Sequence, residues 1–492
     1  MEDRKSYRRM RLLTGGITPL LLAGVLLVFA RMHGGEAWDP GAQVAGICRE
    51  LIAGTTEGRQ ALFGSCWVAP LPVLAYLPFA WLLPEPAAAW TALFMGWLFA
   101  FWCVREAVKS AGQSGWRIVL AQTTLAGMMM VSRQPQVWRL AVPLTIGLTL
   151  LMAAALADWM SLRRMRDAVA VGASAAFLVL CGFPFFVLAC AAVVLVPLAT
   201  FGDRETRGRI QAWVLLSWLP LLYAVGVWLL MNRLVLGDAL FFLRSVPTLV
   251  PDIGRFAAML WAPVAWLLPA LILTWVLDAR RVAPTWRSPA ATALLLTFAV
   301  MLVSVMAVLG RYGLGWDAAV FNICVFALLT AALTRLRQPA YRLVLAMTVI
   351  VGMGSRWFTA PAEAQTEWTR ERICNEAEAH VNARTQYGRV FALGYAGLDL
   401  LSGYAGERLV PNMDLHIGSL RRAYKGQNLY LLVPRPEGPA RAESVFWKHP
   451  DIYTQGGDRL LFSGAFDAWH LFELVTAPTQ EQLDEWKKAG GQ

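Results

Sequence analysis

Trp67-Val68-Ala69-Pro70-Leu71-Pro72-Val73-Leu74-Ala75-Tyr76-Leu77-Pro78-Phe79-Ala80-Trp81-Leu82-Leu83-Pro84 is the stretch on which the topology of the whole chain turns. It carries no charge, and four prolines punctuate it: Pro70, Pro72, Pro78 and Pro84. A membrane-spanning helix must satisfy its own backbone donors and acceptors, and proline removes a donor that lipid cannot replace. The stretch is therefore read as a helix lying at the membrane surface. A proline-kinked extra span is the alternative.

On either side of it the sequence is that of a polytopic membrane protein. Of its 492 residues, 57% are hydrophobic and 16% are charged, against about 25% charged in soluble domains. That balance excludes a disordered chain and an ordinary soluble enzyme. The seven cysteines form no CxxC and no Cys/His cluster, so no zinc or iron–sulfur site is expected. Apolar runs long enough to cross a bilayer lie near 14–31, 87–104, 116–132, 137–158, 168–182, 184–201, 211–231, 256–277, 290–309, 318–334 and 341–358. Eleven spans are expected if 67–84 does not cross.

The positive-inside rule supports that count. Arg4, Lys5, Arg8, Arg9 and Arg11 put the amino terminus in the cytoplasm. Five later connectors each hold three basic residues: Arg105/Lys109/Arg117, Arg163/Arg164/Arg166, Arg204/Arg207/Arg209, Arg280/Arg281/Arg287 and Arg335/Arg337/Arg342. With 67–84 outside the count of spans, all five face the cytoplasm. With it as a span, all five flip out. The net charge of +11 is thus a topology signal of the membrane part, and no nucleic-acid partner is expected.

Residues 361–492 differ in composition, with 17 acidic and 14 basic residues. Phe391–Gly394, Leu429–Val433 and Leu460–Phe462 read as short strands. Glu371–Thr385 and Thr479–Lys488 read as polar helices. The expectation is a membrane domain over 1–360, followed by a small extracytoplasmic α/β domain over 361–492. In that domain His380, His416, His449 and His470 show no ligand spacing, and no nucleophile elbow or P-loop is present.

The first long external loop, residues 32–86, opens with Met32-His33-Gly34-Gly35-Glu36-Ala37-Trp38-Asp39-Pro40. After it, Val44, Ile47, Cys48, Leu51 and Ile52 fall at i, i+3, i+4, i+7 and i+8, with Gln43, Arg49 and Glu50 on the other face. This is the pattern of a helix in the membrane plane. The order is a span, an acidic residue at its outer end, two in-plane helices and a second span. It resembles the C-type (GT-C) integral-membrane glycosyltransferases, of the bacterial polyprenyl-phosphate-sugar dependent kind. The residues that carry the likeness are Trp38-Asp39-Pro40, Trp67-Val68-Ala69-Pro70-Leu71-Pro72, and the segment Asn232 to Leu243 with its Gly237-Asp238. The likeness covers about residues 1–358 and rests on organisation more than on a sharp motif.

That resemblance implies transfer of a sugar from a polyprenyl-phosphate carrier to a glycan, lipid or protein acceptor on the outer face of a bacterial inner membrane. A carboxylate must take the proton of the attacking hydroxyl, and cations must stabilise the departing phosphate. Asp39 is the candidate base, flanked by Trp38, with Glu36 as a weaker one. The alternative for Asp39 is an N-cap of the helix that follows. Arg133, Arg244, Arg255 and Arg311 are candidate phosphate ligands; the alternative for each is a lipid-headgroup anchor. Where the family often has a second external carboxylate, this chain reads Ser132-Arg133-Gln134-Pro135-Gln136-Val137. A divalent metal is therefore not supported, and no other cofactor is expected. Cys48 and Cys66, 18 positions apart on the external side, are a candidate disulfide; two buried thiols are the alternative. Two rival readings stand: a transporter, disfavoured by spans almost bare of ionisable groups, and a non-catalytic subunit of a cell-envelope assembly that keeps the fold and binds lipid or a partner through 361–492.

Overall fold

The structure is a computed structural model. It describes residues 12–34, 42–64, 70–110, 115–131, 139–162, 164–198, 210–241, 370–401, 404, 406, 408–413, 420, 424, 427–435, 452 and 460–474. The protein is mostly helical, with a small carboxyl-terminal sheet domain. Three helical stretches among the described residues are long and apolar enough to cross a membrane: Leu13–Met32, Ala87–Lys109 and Ile210–Leu236.

Each expected span that falls on described residues is a helix. A π-helical turn, Leu13–Ile17, leads into α1 (Thr18–Gly34). Beyond the loop come α5 (Glu85–Ser110), α6 (Trp116–Val131), α7 (Ala141–Leu162), α8 (Met165–Val179), α9 (Phe183–Leu198) and α10 (Ile210–Leu236). The four spans expected from 256–277 to 341–358 lie outside the described residues. Between α1 and α5 stand α2 (Ala42–Ile52), α3 (Thr56–Phe63) and α4 (Pro70–Leu82).

Helix α4 is the stretch quoted first. It has 13 residues, which rise about 20 Å, short of the ~30 Å hydrocarbon core. Its prolines fall where a helix tolerates them. Pro70 and Pro72 sit in the first turn, whose N–H groups have no intrahelical partner, and Pro84 follows the end. Pro78 alone lies inside. Val73 and Tyr76 are buried, while Leu74, Trp81 and Leu82 are exposed on another face.

The chain forms two compact units. The first comprises 1–40, 90–228 and 250–364. In it, buried Gln122 of α6 donates to the carbonyls of Thr14 (3.3 Å) and Phe101 (3.0 Å), so one side chain ties the π-turn, α5 and α6. Helices α8 and α10 cross closely at Gly172, where a Cβ would lie 2.5 Å from the Ser217 carbonyl. Trp159 and Trp213 meet edge to face, centroids 5.8 Å apart.

The second unit gathers 41–89, 229–249 and 365–492. Helices α2, α3 and α4 and the end of α10 thus fold with the terminal domain. Asn232 to Leu236, read from sequence as loop, are the last turn of α10, and Asn232 is buried. The helix continues because Leu234, Val235 and Leu236 are good helix formers, and it stops at Gly237, whose φ of +75° is the left-handed end that glycine takes without strain.

The terminal domain is a five-stranded sheet in the order β2-β1-β3-β5-β4. Its elements are α11 (Arg370–Arg384), β1 (Gly388–Leu393), α12 (Gly394–Leu400), β2 (Leu409–Asn412), β3 (Asn428–Pro434), β4 (Leu460–Phe466) and β5 (Trp469–Leu474). Strand β1 is parallel to both neighbours, with α12 as the crossover to β2; β3, β5 and β4 are antiparallel. One face packs Val390, Ala392, Leu432 and Leu471 against Ile373, Cys374, Ala377 and Val381 of α11. The other packs Phe391, Leu431 and Phe472 with Leu420 and Ile452. Strands covered on both faces read as continuous apolar runs, which is why β1 and β3 were legible. Short β2 holds Pro411, and β5 follows a reversal built on Asp467 at φ +51° without glycine, so neither carries the usual sequence signal. The helix expected at Thr479–Lys488 lies outside the described residues.

Candidate functional site

Asp39, Glu36 and Trp38 fall in 35–41, Arg133 in 132–138, Arg244, Arg255 and Arg311 in 242–369, and Cys66 in 65–69; all lie outside the described residues. The structure does describe the helices that follow 35–41 and what holds them.

Helix α2 was expected to turn an apolar stripe to lipid and a polar face to water. Instead Ala45, Gly46, Ile47 and Cys48 are all buried and Ile52 is exposed, because protein covers the helix from more than one direction. The Cys48 thiol points at the Val73 carbonyl of α4, 3.5 Å away. It is a free thiol, and burial pushes it up to about 12, so it stays protonated and unreactive at neutral pH. On another side the backbone of Gly46 lies against α12: an added Cβ would stand 2.5 Å from the Leu398 carbonyl oxygen. Tyr395 of α12 donates from its hydroxyl to the Ala61 carbonyl of α3 at 2.8 Å.

Arg49 completes this contact. Its Nη2 lies 2.7 Å from both carboxylate oxygens of Glu85, at the start of α5, and its Nη1 donates to the Leu401 carbonyl at 3.0 Å. The ion pair is partly exposed, with side chains 40% and 31% accessible, so on its own it stabilises by no more than about 1 kcal/mol. Its weight is geometric: one planar guanidinium joins α2 to the start of α5 and to Leu401. Sequence reasoning placed Arg49 only on a polar face. Its partners are 36 and 352 residues away, and no local pattern could have named them.

The loop's other carboxylates are engaged too. Thr55 caps α3 by accepting from Gly58 N at 3.2 Å, and its hydroxyl reaches a Glu50 carboxylate oxygen at 2.8 Å. Glu57 lies in the first turn of α3, where the helix dipole favours a negative charge, and takes a bond from Thr56 at 2.8 Å. Of the five carboxylates in residues 32–86, Glu50, Glu57 and Glu85 thus have structural partners, leaving Glu36 and Asp39 as the ones the structure does not describe. Among the described residues no group of three or more His, Cys, Asp or Glu is placed to hold a metal ion.

The terminal domain has a polar cluster of its own. Ser463, buried at a bulge of β4, lies 3.2 Å from His380 Nε2 and accepts from Arg384 at 2.7 Å. Burial, then the charge of Arg384, lowers the pKa of His380; burial, then Arg435, lowers that of His470. Both are neutral at pH 7. A histidine whose folded pKa is depressed binds fewer protons folded than unfolded as pH drops below its ordinary value of 6.5, so stability is lost on that side. Acidification below about pH 6.5 is expected to raise amide exchange in β4 and β5. The His380→Gln variant should show a shallower rise. An identical profile in the variant would remove His380 as the cause.

No protein-family model matches the chain. No curated protein matches it. Among solved structures it is similar to the crystal structure of ArnT from Cupriavidus metallidurans in the apo state, with a TM-score of 0.44 and 13% identity over 94% of this chain and 98% of that one. It is likewise similar to ArnT from Cupriavidus metallidurans bound to undecaprenyl phosphate, with a TM-score of 0.43 and 13% identity over 94% and 99%.

Proposed function

We propose that the protein is an inner-membrane glycosyltransferase of the C-type, moving a sugar from a polyprenyl-phosphate carrier to an acceptor at the extracytoplasmic face. The acceptor hydroxyl attacks the anomeric carbon and gives its proton to Asp39. The bond from that carbon to the phosphate oxygen breaks, and the carrier phosphate leaves, its charge met by Arg133, Arg244, Arg255 and Arg311. Trp38 borders the base. Asp39 is chosen over Glu36 because it lies closer to α2, three residues before Ala42.

The observation that carries this reading is that α2, α3 and α4 fold in one compact unit with residues 365–492, while α4 is too short to cross. That is the arrangement expected of a loop lying on the side of the terminal domain. Mass spectrometry of lipid-linked sugars and surface glycans, with and without the protein, tests it. Loss of one modification and build-up of one lipid-linked sugar is the expected result; unchanged profiles would sink the reading.

One observation favours a second reading, a non-catalytic subunit of an envelope assembly: the second external loop, 132–137, has no carboxylate. An Asp39→Asn variant that leaves glycans intact, beside a deletion that abolishes an assembly, would decide for it. The topology has its own check. In intact cells a cysteine introduced at Ser110 is expected to resist membrane-impermeant thiol reagents, and one at Ser402 to react. A reactive Ser110 position would mean that 67–84 spans.

A further inference from the structure

Ser463 is the residue at which β4 leaves its register. Phe462 pairs with Phe472 of β5 and Gly464 with Leu471, so Ser463 is the extra residue of a bulge on an edge strand of the sheet. An extra residue of this kind bends its strand and re-aims a side chain. Ser463 turns to α11, where His380 and Arg384 stand four positions apart on one helix face. The Arg384 guanidinium donates to Ser463 Oγ at 2.7 Å, and His380 Nε2 lies 3.2 Å from the same oxygen. A guanidinium can only donate, so Oγ accepts there and its own hydrogen is free for Nε2. Burial lowers the pKa of His380 and keeps the ring neutral, the form that accepts a proton. Phe466 meets the ring edge to face with centroids 5.7 Å apart. A Cβ at Gly464 would stand 3.5 Å from Nε2, so the imidazole is seated by packing beside the strand.

A serine that merely fills a core finds its partner close by. Ser217 does so with the Trp213 carbonyl, 2.8 Å away on its own helix. Ser463 instead draws a cation and a base from another element. A hydroxyl on a neutral imidazole, with a charged donor on the same oxygen, is the arrangement that makes serine a nucleophile. Arg384 is exposed and His380 half-buried, so the outer side of the cluster opens to solvent. Among the described residues the other N–H groups of Arg384 have no partner.

We infer that Ser463 is a nucleophile and His380 its general base, in an acyl-transfer site of the terminal domain that takes carboxylic esters. Oγ bonds to the ester carbonyl carbon as its proton passes to His380 Nε2. The carbonyl electron pair moves onto oxygen, and Arg384 meets the charge. The pair returns, the bond to the alcohol oxygen breaks, and the alcohol leaves with the proton from Nε2. The acyl group on Ser463 then passes to water or to another hydroxyl by the same steps in reverse. The transferase reading uses none of these three residues, so the two stand or fall separately.

The test is covalent labelling of the full-length protein in nanodiscs by two probes, a biotinylated fluorophosphonate and p-nitrophenyl acetate. Mass spectrometry locates the modified residue. Ser463 of the parent is expected to carry the phosphonyl group from one and the acetyl group from the other. His380→Gln should slow labelling about a hundredfold, the usual share of a general base. Arg384→Gln should slow it by about the same factor, that of one lost oxyanion donor. Rates are scored per folded molecule, with hydrogen exchange in β3 and β5 as the measure of folding, and the parent's own labelling needs no variant. Three results would overturn the inference. One is a parent protein left unmodified at Ser463 by both probes. Another is label spread over the chain's other serines as fast as on Ser463. The third is a His380→Gln variant labelled within about threefold of the parent rate. Labelling requires no sugar donor, so its outcome is independent of the glycan measurements.

Discussion

Asp39→Asn is expected to reduce glycan modification by about two to four orders of magnitude, the usual contribution of a general base, corresponding to about 3–5 kcal/mol of transition-state stabilisation. The choice of Asn is deliberate. Asp39 precedes Pro40, and a cap of the helix that follows is the alternative role that the sequence leaves open for it. Asn caps a helix as well as Asp does, so this substitution removes the base and keeps the cap. Asp39→Ala removes both. If the residue is a base, Asn and Ala variants lose modification equally and melt apart by the ~1 kcal/mol of a lost cap. If it is only a cap, Asn behaves as the parent and Ala alone is impaired. The measurements are surface-glycan mass spectrometry and thermal unfolding of the purified full-length protein.

Gly46→Ala is expected to be nearly as damaging as Gly46→Leu. At most helical positions alanine in place of glycine stabilises, but here the first carbon of any side chain would stand 2.5 Å from the Leu398 carbonyl oxygen. The neighbour is backbone and cannot rotate away, so α2 and α12 must part. Overpacking of this kind costs about 1–3 kcal/mol, and separation of the helices also stretches the Arg49 bridge to Leu401. Both variants should lower the unfolding temperature and raise exchange at 398–401. An Ala variant as stable as the parent, with undisturbed exchange, would mean that the two helices do not approach so closely.

The part of this architecture that could be read from sequence is the part written in local pattern. Helices α1 and α5 to α9, and most of α10, were legible because apolar runs bounded by charge leave a membrane segment few alternatives, and the 3.6-residue spacing of Val44, Ile47, Cys48 and Leu51 disclosed α2; polar α3 was not read from the sequence. The prolines of α4 were read as hostile to a span, and Pro70, Pro72 and Pro84 frame a helix of 13 residues. What spacing could not reveal was which protein surface covers α2. Its apolar stripe is compatible with lipid or with protein, and the contact of Cys48 with Val73 of α4, together with that of Gly46 with Leu398 on another side, decides for protein. The same limit hid Arg49: its sequence neighbourhood is an ordinary polar helix face, and its meaning lies in partners at Glu85 and Leu401. In the terminal domain β5 escaped because Asp467 takes a left-handed conformation that sequence rules assign to glycine.

The Arg49 bridge to Leu401 joins positions 352 residues apart, and this bears on how the molecule is made. Synthesis inserts helices in order, so α2 emerges early while its cover, α12, is among the last pieces to leave the ribosome. Until then Gly46 and Arg49 lack their partners at Leu398 and Leu401, and loop closure over so long an interval is slow. Newly inserted chains therefore pass through a stage with their helical membrane segments in place and this joint open, a stage in which a protease or holdase can distinguish immature from finished molecules. Pulse-labelled chains should gain resistance to cleavage near Thr55 only after residue 401 has been synthesised and folded.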